Sequence, residues 1–403
     1  MWHYADKVYD LPQLLAAATD ARPQPRIQTG TALRAVAALF LARLGSLNAL
    51  AESRDHGCWG QWLEGAALPS ERSIGRVMAG VDCRTLRQAL RQFYHQRKRN
   101  KSLSGFYLGA VALILDGHES SASFRRSCPD CLRRKVETKA GTRIQYYHRL
   151  VAASLLCGQT RLLLDCELQQ AGEDEVACAA RLLERILRDY PRAFELILAD
   201  GLYARADFFQ LALRHGKHVI AVLKDERRDL LRDAAGLFGA QPSSLIFQRG
   251  RTECQCWDLD QFTTWPQLGC AARVVRSLEK TTVTRQVDGL AEESQSEWVW
   301  ATTLPRSQIS TEGVVRFGHG RWAIENEGFN ELVNEWHADH VYRHQANAIL
   351  AFWLMAMLAF NLFHAFIELN LKPMLRAAHS AHYWARLIAA DFYQTAPANR
   401  APP

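Results

Sequence analysis

The stretch Val111-Ala112-Leu113-Ile114-Leu115-Asp116-Gly117 is an apolar run that ends on a carboxylate and a glycine. Leu196-Ile197-Leu198-Ala199-Asp200-Gly201 repeats the pattern further along the chain. Short aliphatic runs bounded by turn residues read as buried strands. Each aspartate is expected where its strand leaves the sheet, with the following glycine allowing a sharp turn. A third acid, Glu325, lies in Arg321-Trp322-Ala323-Ile324-Glu325-Asn326, which reads as helix. Two strand-end carboxylates and a helical one make a pocket suited to two hard divalent cations, and such a pair supports in-line attack on a phosphodiester.

Working outward from the first run, residues 107–115 read as a strand. Residues 146–154 and 161–168 read as a strand pair about the turn Cys157-Gly158-Gln159-Thr160. Residues 173–190 have helical periodicity, 194–199 form a strand, 205–215 a helix and 219–223 a further strand. Strand, hairpin, helix, strand, helix, strand is the order of a ribonuclease-H-like core, whose mixed sheet sets two aspartates at the ends of neighbouring strands. The expected architecture is α/β: a ribonuclease-H-like mixed sheet with an inserted β subdomain and flanking helical regions. The segments are 1–105 (helical, DNA-binding), 106–225 (first part of the core), 226–305 (inserted β subdomain), 306–372 (catalytic helix and core-completing helices) and 373–403 (a disordered tail).

Within 1–105, an apolar-periodic stretch over 29–50 is followed by a helix capped by Ser70 and another capped by Asp82. The turn Ala79-Gly80-Val81 between them suits a helix-turn-helix-like module, and equally any small helical bundle. Gln96-Arg97-Lys98-Arg99-Asn100-Lys101 reads as a basic, solvated linker in which Arg97, Lys98 and Arg99 are candidate phosphate contacts.

With 403 residues the chain exceeds one ordinary hydrophobic core. Its 48% hydrophobic and 23% charged content is that of a globular protein. The net charge is +7, and only nine of the 49 basic residues are Lys. An Arg excess suits bidentate phosphate contact, although genomic base composition produces the same bias. The start lacks the basic-then-apolar pattern of a cleavable signal. The most apolar segment, 348–360, reads as too short to cross a bilayer, so a cytoplasmic protein without a membrane partner is expected. Ten scattered cysteines do not form a secreted disulfide framework.

The segments Leu115-Asp116-Gly117-His118-Glu119, Cys128-Pro129-Asp130-Cys131 and Tyr146-Tyr147-His148 resemble bacterial insertion-sequence transposases of the DDE type. So does Arg321-Trp322-Ala323-Ile324-Glu325-Asn326-Glu327-Gly328-Phe329-Asn330, with Trp336-His337 and His340 beyond it. The resemblance runs from about residue 110 to 365. It implies that Asp116, Asp200 and Glu325 are catalytic and hold two Mg²⁺ or Mn²⁺ ions. It also implies cleavage at transposon ends and strand transfer into target DNA, in a DNA-bound homodimer associated with the bacterial nucleoid. Water and then the freed 3′-OH would be the nucleophiles, with no covalent enzyme intermediate. The different-class alternative is a catalytically silent DNA-binding regulator derived from a transposase. Glu327 rivals Glu325, but two helical positions turn a side chain by roughly 200°, and the triad position favours Glu325. Arg321, one turn earlier, is expected to orient phosphate or the carboxylate. Two departures stand out: Gly318 replaces a Tyr that the wider family carries three residues before the Arg, and Leu332 and Val333 fill the region of an expected Lys.

Cys128 and Cys131 have the spacing of half a tetrahedral zinc site. His148 and the trio His337, His340 and His344, taken as one helical face, are candidate nitrogen donors. Two reduced cysteines packing a loop are the alternative. In the 226–305 region Trp257, Phe262, Trp265, Trp298 and Trp300 read as a small β core or as stacking surfaces for an unpaired base, and Arg249 and Arg251 as weak phosphate contacts.

Overall fold

A computed structural model describes residues 1–55, 58–139, 141–158, 160–224, 228–284 and 291–393. Among these, ten strands form one mixed sheet: β1 (Ala112–Ser123), β2 (Leu132–Thr138), β3 (Gly141–Cys157), β4 (Thr160–Leu168), β5 (Leu196–Ala199), β6 (His218–Val222), β7 (Leu245–Arg249), β8 (Thr252–Phe262), β9 (Ala272–Thr284) and β10 (Ala291–Thr302). Their order is β2-β3-β1-β5-β6-β10-β9-β8-β7, with β4 also paired to β3. β1 runs antiparallel to β3 and parallel to β5, and β5 runs parallel to β6. Parallel strands need crossovers, and the helices Glu175–Asp189 and Ala206–Arg214 lie between β4, β5 and β6 in sequence. The first is capped by Asp174, whose Oδ1 accepts the Ala177 N–H at 2.7 Å, and buries Val176, Leu182, Leu183, Ile186 and Leu187. The sheet is that of a ribonuclease-H-like α/β protein.

Several sequence expectations change. β1 begins at Ala112, not at residue 107, because Leu108 and Gly109 turn through positive φ. It then runs on past Asp116 to Ser123, paired along its length to β3. β2 had no counterpart in the sequence reading; its Arg133, Arg134 and Lys135 are exposed and do not alternate with apolar residues. The β3–β4 turn lies where expected, although its Gln159 falls outside the described residues. The strands expected as an inserted β subdomain form an antiparallel meander that joins the core sheet through β10 and β6. A helix, Arg228–Gly239, precedes them and was not expected.

The N-terminal helices are not a free module. Thr29–Leu41, Glu71–Gly80 and Cys83–Arg99 all pack on the long helix Ala346–Ala365. The first stops at Leu41 instead of residue 50, because the chain takes positive φ at Arg43 and Gly45. Ser70 and Asp82 do cap the next two, accepting the Ser73 and Arg84 N–H groups. The turn between them is docked on the core: Asn347 Nδ2 lies 3.2, 3.3 and 3.0 Å from the carbonyls of Met78, Ala79 and Val81. The supposed basic linker continues the helix to Arg99.

Ala346–Ala365 continues as a π turn to Asn370, giving 25 residues long and apolar enough to cross a membrane, contrary to the shorter segment read from sequence. Its most apolar window is 83% buried, as for a core helix. Its one deeply buried amide, Asn361, hydrogen-bonds both the N–H and the C=O of Leu163 in β4, at 2.9 and 2.7 Å. A side chain thus stands in for a neighbouring strand at this edge. Residues 373–393, expected as tail, include the helices Pro373–Ala378 and Ala381–Tyr393, and Phe392 packs edge-on to Trp59. The remainder of the expected tail lies outside the described residues.

Candidate active site

Strand register sets Asp116 and Asp200 level on neighbouring strands. Ala112, Leu113 and Ile114 of β1 lie opposite Leu196, Ile197 and Leu198 of β5. Continuing that offset brings Asp116 level with Asp200. Each aspartate accepts the N–H of its own following glycine, at 2.9 Å for Gly117 and 2.7 Å for Gly201.

The two glycines serve different ends. Asp200 does end its strand, and Gly201 opens a short 3₁₀ turn. Gly117 makes no turn, correcting the expectation for Asp116. Its place is set by a close approach, since a Cβ there would stand 2.4 Å from the Glu175 carboxyl carbon. Glu175 is itself pinned, accepting from the Tyr203 hydroxyl at 2.9 Å and pairing with Arg149 at 3.1 Å.

Glu325 comes from a π turn, Ile324–Phe329, that follows the helix Thr311–Gly320. Such turns widen the helix by one residue and recur at functional sites. Ile324 and Phe329 are buried and seat it. Arg321, largely buried, places Nη1 3.0 Å from both Asp116 Oδ2 and Glu325 Oε1. Glu327 instead lines a cavity of about 860 Å³ beside the π turn, with Trp298, Trp322, His319 and Arg249. Trp298 and Trp322 meet there edge to face at 5.0 Å. Trp265 and Trp300, by contrast, are buried in the core.

Burial pushes the Asp116 carboxyl up to about 7; the Arg321 guanidinium opposes this and the Glu325 carboxylate adds to it. Burial also works against the Asp200 anion, but the Gly201 N–H and the Lys224 ammonium, 3.1 Å from Oδ1, hold it below its ordinary value. Hard carboxylate oxygens crowded in a half-buried place, one of them destabilised as an anion, are a fitting donor set for a divalent cation.

The remaining expected residues are dispersed. Arg97 is buried and paired with Glu368 at 2.9 Å, so it is not presented to a phosphate as a linker residue would be. Lys98 Nζ donates to the Arg192 carbonyl at 2.7 Å, and Arg99 reaches back to Gln96. The three histidines do not share a helical face, because the chain leaves helix between Asn334 and Ala346 and His337 takes positive φ. His344 alone reaches Cys131, beside Cys128 and His148.

Both departures from the resembled pattern have packing reasons. A Cβ at Gly318 would stand 2.4 Å from the Trp300 indole, and Leu332 is fully buried. Lys224 and Glu175 were missed. Lys224 follows the apolar strand β6 as Asp200 follows β5, so the strand-end rule would have found it. Glu175 carries no local signal.

The family model described as a transposase DDE domain matches residues 108–362, and no curated protein matches the chain.

Proposed function

Given that the chain belongs to the transposase DDE-domain family, whose members act on DNA with divalent metal ions, we propose that it cleaves DNA at transposon ends and joins the freed ends to target DNA. The observation that carries this reading is the meeting of Asp116 and Glu325 on Arg321 Nη1, with Asp200 level on the adjacent parallel strand. Asp116, Asp200 and Glu325 would hold two Mg²⁺ or Mn²⁺ ions, which supply Lewis-acid activation of the attacking oxygen and charge neutralisation at the leaving 3′ oxygen.

The chain's own groups then have separable roles. Lys224 holds Asp200 as an anion at the end of the adjacent strand. Arg321 keeps the buried Asp116 and Glu325 together until DNA and metal enter, and its guanidinium can then turn to a phosphate. Trp298 and Trp322, which line the neighbouring cavity, would offer faces for an unpaired base at the cut end. The protein would work on double-stranded DNA in the cytoplasm, paired with a second copy across two transposon ends.

The test is cleavage of DNA carrying the terminal repeats that flank the reading frame, by purified protein with Mg²⁺. Asp116→Asn, Asp200→Asn and Glu325→Gln should each reduce cleavage by about 100-fold or more. Cleavage unchanged by any one of them removes that residue from the triad. One observation favours the silent-regulator reading: the Arg321 guanidinium itself bridges Asp116 and Glu325, the two acids a cation would have to share. That reading requires repeat-specific binding with no Mg²⁺-dependent cutting.

A further inference from the structure

Four side chains from three separate parts of the chain converge away from the carboxylates. Cys128 and Cys131 lie in the loop between β1 and β2, His148 is buried in β3, and His344 stands just before the helix Ala346–Ala365. The two sulfurs are 3.6 Å apart, and His148 Nε2 is 3.3 Å from each. His344 Nε2 is 3.3 Å from Cys131 Sγ, and all four donor atoms lie within 4.8 Å of one another. A tetrahedral zinc ion with ordinary Zn–S and Zn–N bonds has sulfur–sulfur edges of about 3.8 Å and sulfur–nitrogen edges of about 3.6 Å. The four individual distances match these to within a few tenths of an ångström.

Hydrogen bonding accounts for the cluster less well. Two thiol protons face three sulfur–nitrogen contacts, so an imidazole would have to turn donor toward sulfur. Cys131 Sγ also accepts the Cys128 N–H at 3.2 Å, and the Cys131 N–H closes the loop on the Cys128 carbonyl at 3.2 Å.

We propose that Cys128, Cys131, His148 and His344 form a Cys₂His₂ site for one structural zinc ion. Two soft and two imidazole donors in a closed tetrahedral set select zinc and leave no open position for catalysis. The ion would tie the loop before β2 and strand β3 to the irregular segment between Asn334 and the long core helix. It would thus fix both flanks of the candidate active site at a distance from the reacting atoms, and the inference does not depend on the proposed cleavage activity.

The experiment is elemental analysis of untagged full-length protein purified without added metal, where about one zinc per chain is expected. Replacement by Co²⁺ should give the visible absorption of tetrahedral coordination with sulfur-to-cobalt charge transfer. Cys131→Ser and His344→Ala should each lose the metal, and chelation of the wild type should lower its melting temperature, with recovery on Zn²⁺ but not Mg²⁺. If a variant fails to fold, the wild-type cobalt spectrum and chelation decide. The proposal is overturned by wild type that is reduced, folded and zinc-free and takes up no tetrahedral Co²⁺. A Cys128–Cys131 disulfide in freshly isolated protein, or full zinc content in a folded Cys131→Ser/His344→Ala double variant, overturns it equally.

Discussion

Asp116 and Glu325, on a strand and a π turn far apart in sequence, meet on a single nitrogen of Arg321, each 3.0 Å from it. Removing that guanidinium leaves two acids facing each other with Asp116 largely buried. Breaking a buried pair in this way costs about 3 kcal/mol. Arg321→Ala should therefore lower the melting temperature of metal-free protein, and Mg²⁺ should restore more stability to the variant than to the wild type. Thermal denaturation with and without Mg²⁺ measures both.

Within the π turn Glu325 pairs with Arg321, whereas Glu327 lines the neighbouring cavity. Glu325→Gln should reduce cleavage by about 100-fold or more, whereas Glu327→Gln should stay within about tenfold of wild type. Single-turnover cleavage of repeat-bearing DNA at saturating Mg²⁺ distinguishes them; equal losses would contradict the assignment.

At Gly117 the obstacle is a side chain held in place. Gly117→Ala sets a Cβ against the Glu175 carboxyl and forces it from Tyr203 and Arg149. The expected cost is about 1–3 kcal/mol. Chemical denaturation of Gly117→Ala and Gly117→Ala/Glu175→Ala should show the second change recovering part of the loss.

Arg97 sits inside and pairs with Glu368. Arg97→Gln should destabilise the fold by about 3 kcal/mol while leaving the salt dependence of DNA binding unchanged. A shallower salt slope with normal stability would return Arg97 to the DNA interface.

Asp20 accepts from Arg22 and from the Thr29 hydroxyl at the start of its helix, and the Arg22 hydrogen bonds lower its carboxyl to about 2. A depressed folded value means stability that is present above the ordinary carboxylate range and lost as pH falls through about 2. Asp20→Asn should cost about 1 kcal/mol at neutral pH. The difference from wild type should shrink steadily below about pH 4, as followed by denaturation midpoints across pH.

The strands β5 and β6, most of β1 and the crossover helices were legible because their signals are local, whereas the choice of Asp116, Asp200 and Glu325 as a set rested on the family resemblance as well. Aliphatic runs, a 3.6-residue period and an Asp-Gly step can each be read within a dozen positions. Strand β2 was hidden because its exposed Arg133, Arg134 and Lys135 carry no alternation. Tertiary contacts decided the rest. Whether a strand stops at Asp116, whether Arg97 faces water, why position 117 is glycine and which histidine joins Cys131 all depend on groups remote in sequence: β3, Glu368, Glu175 and the break after Asn334. A charge or a glycine means little until its neighbours in space are known, because desolvation, pairing and close approach act through distance and not through sequence order.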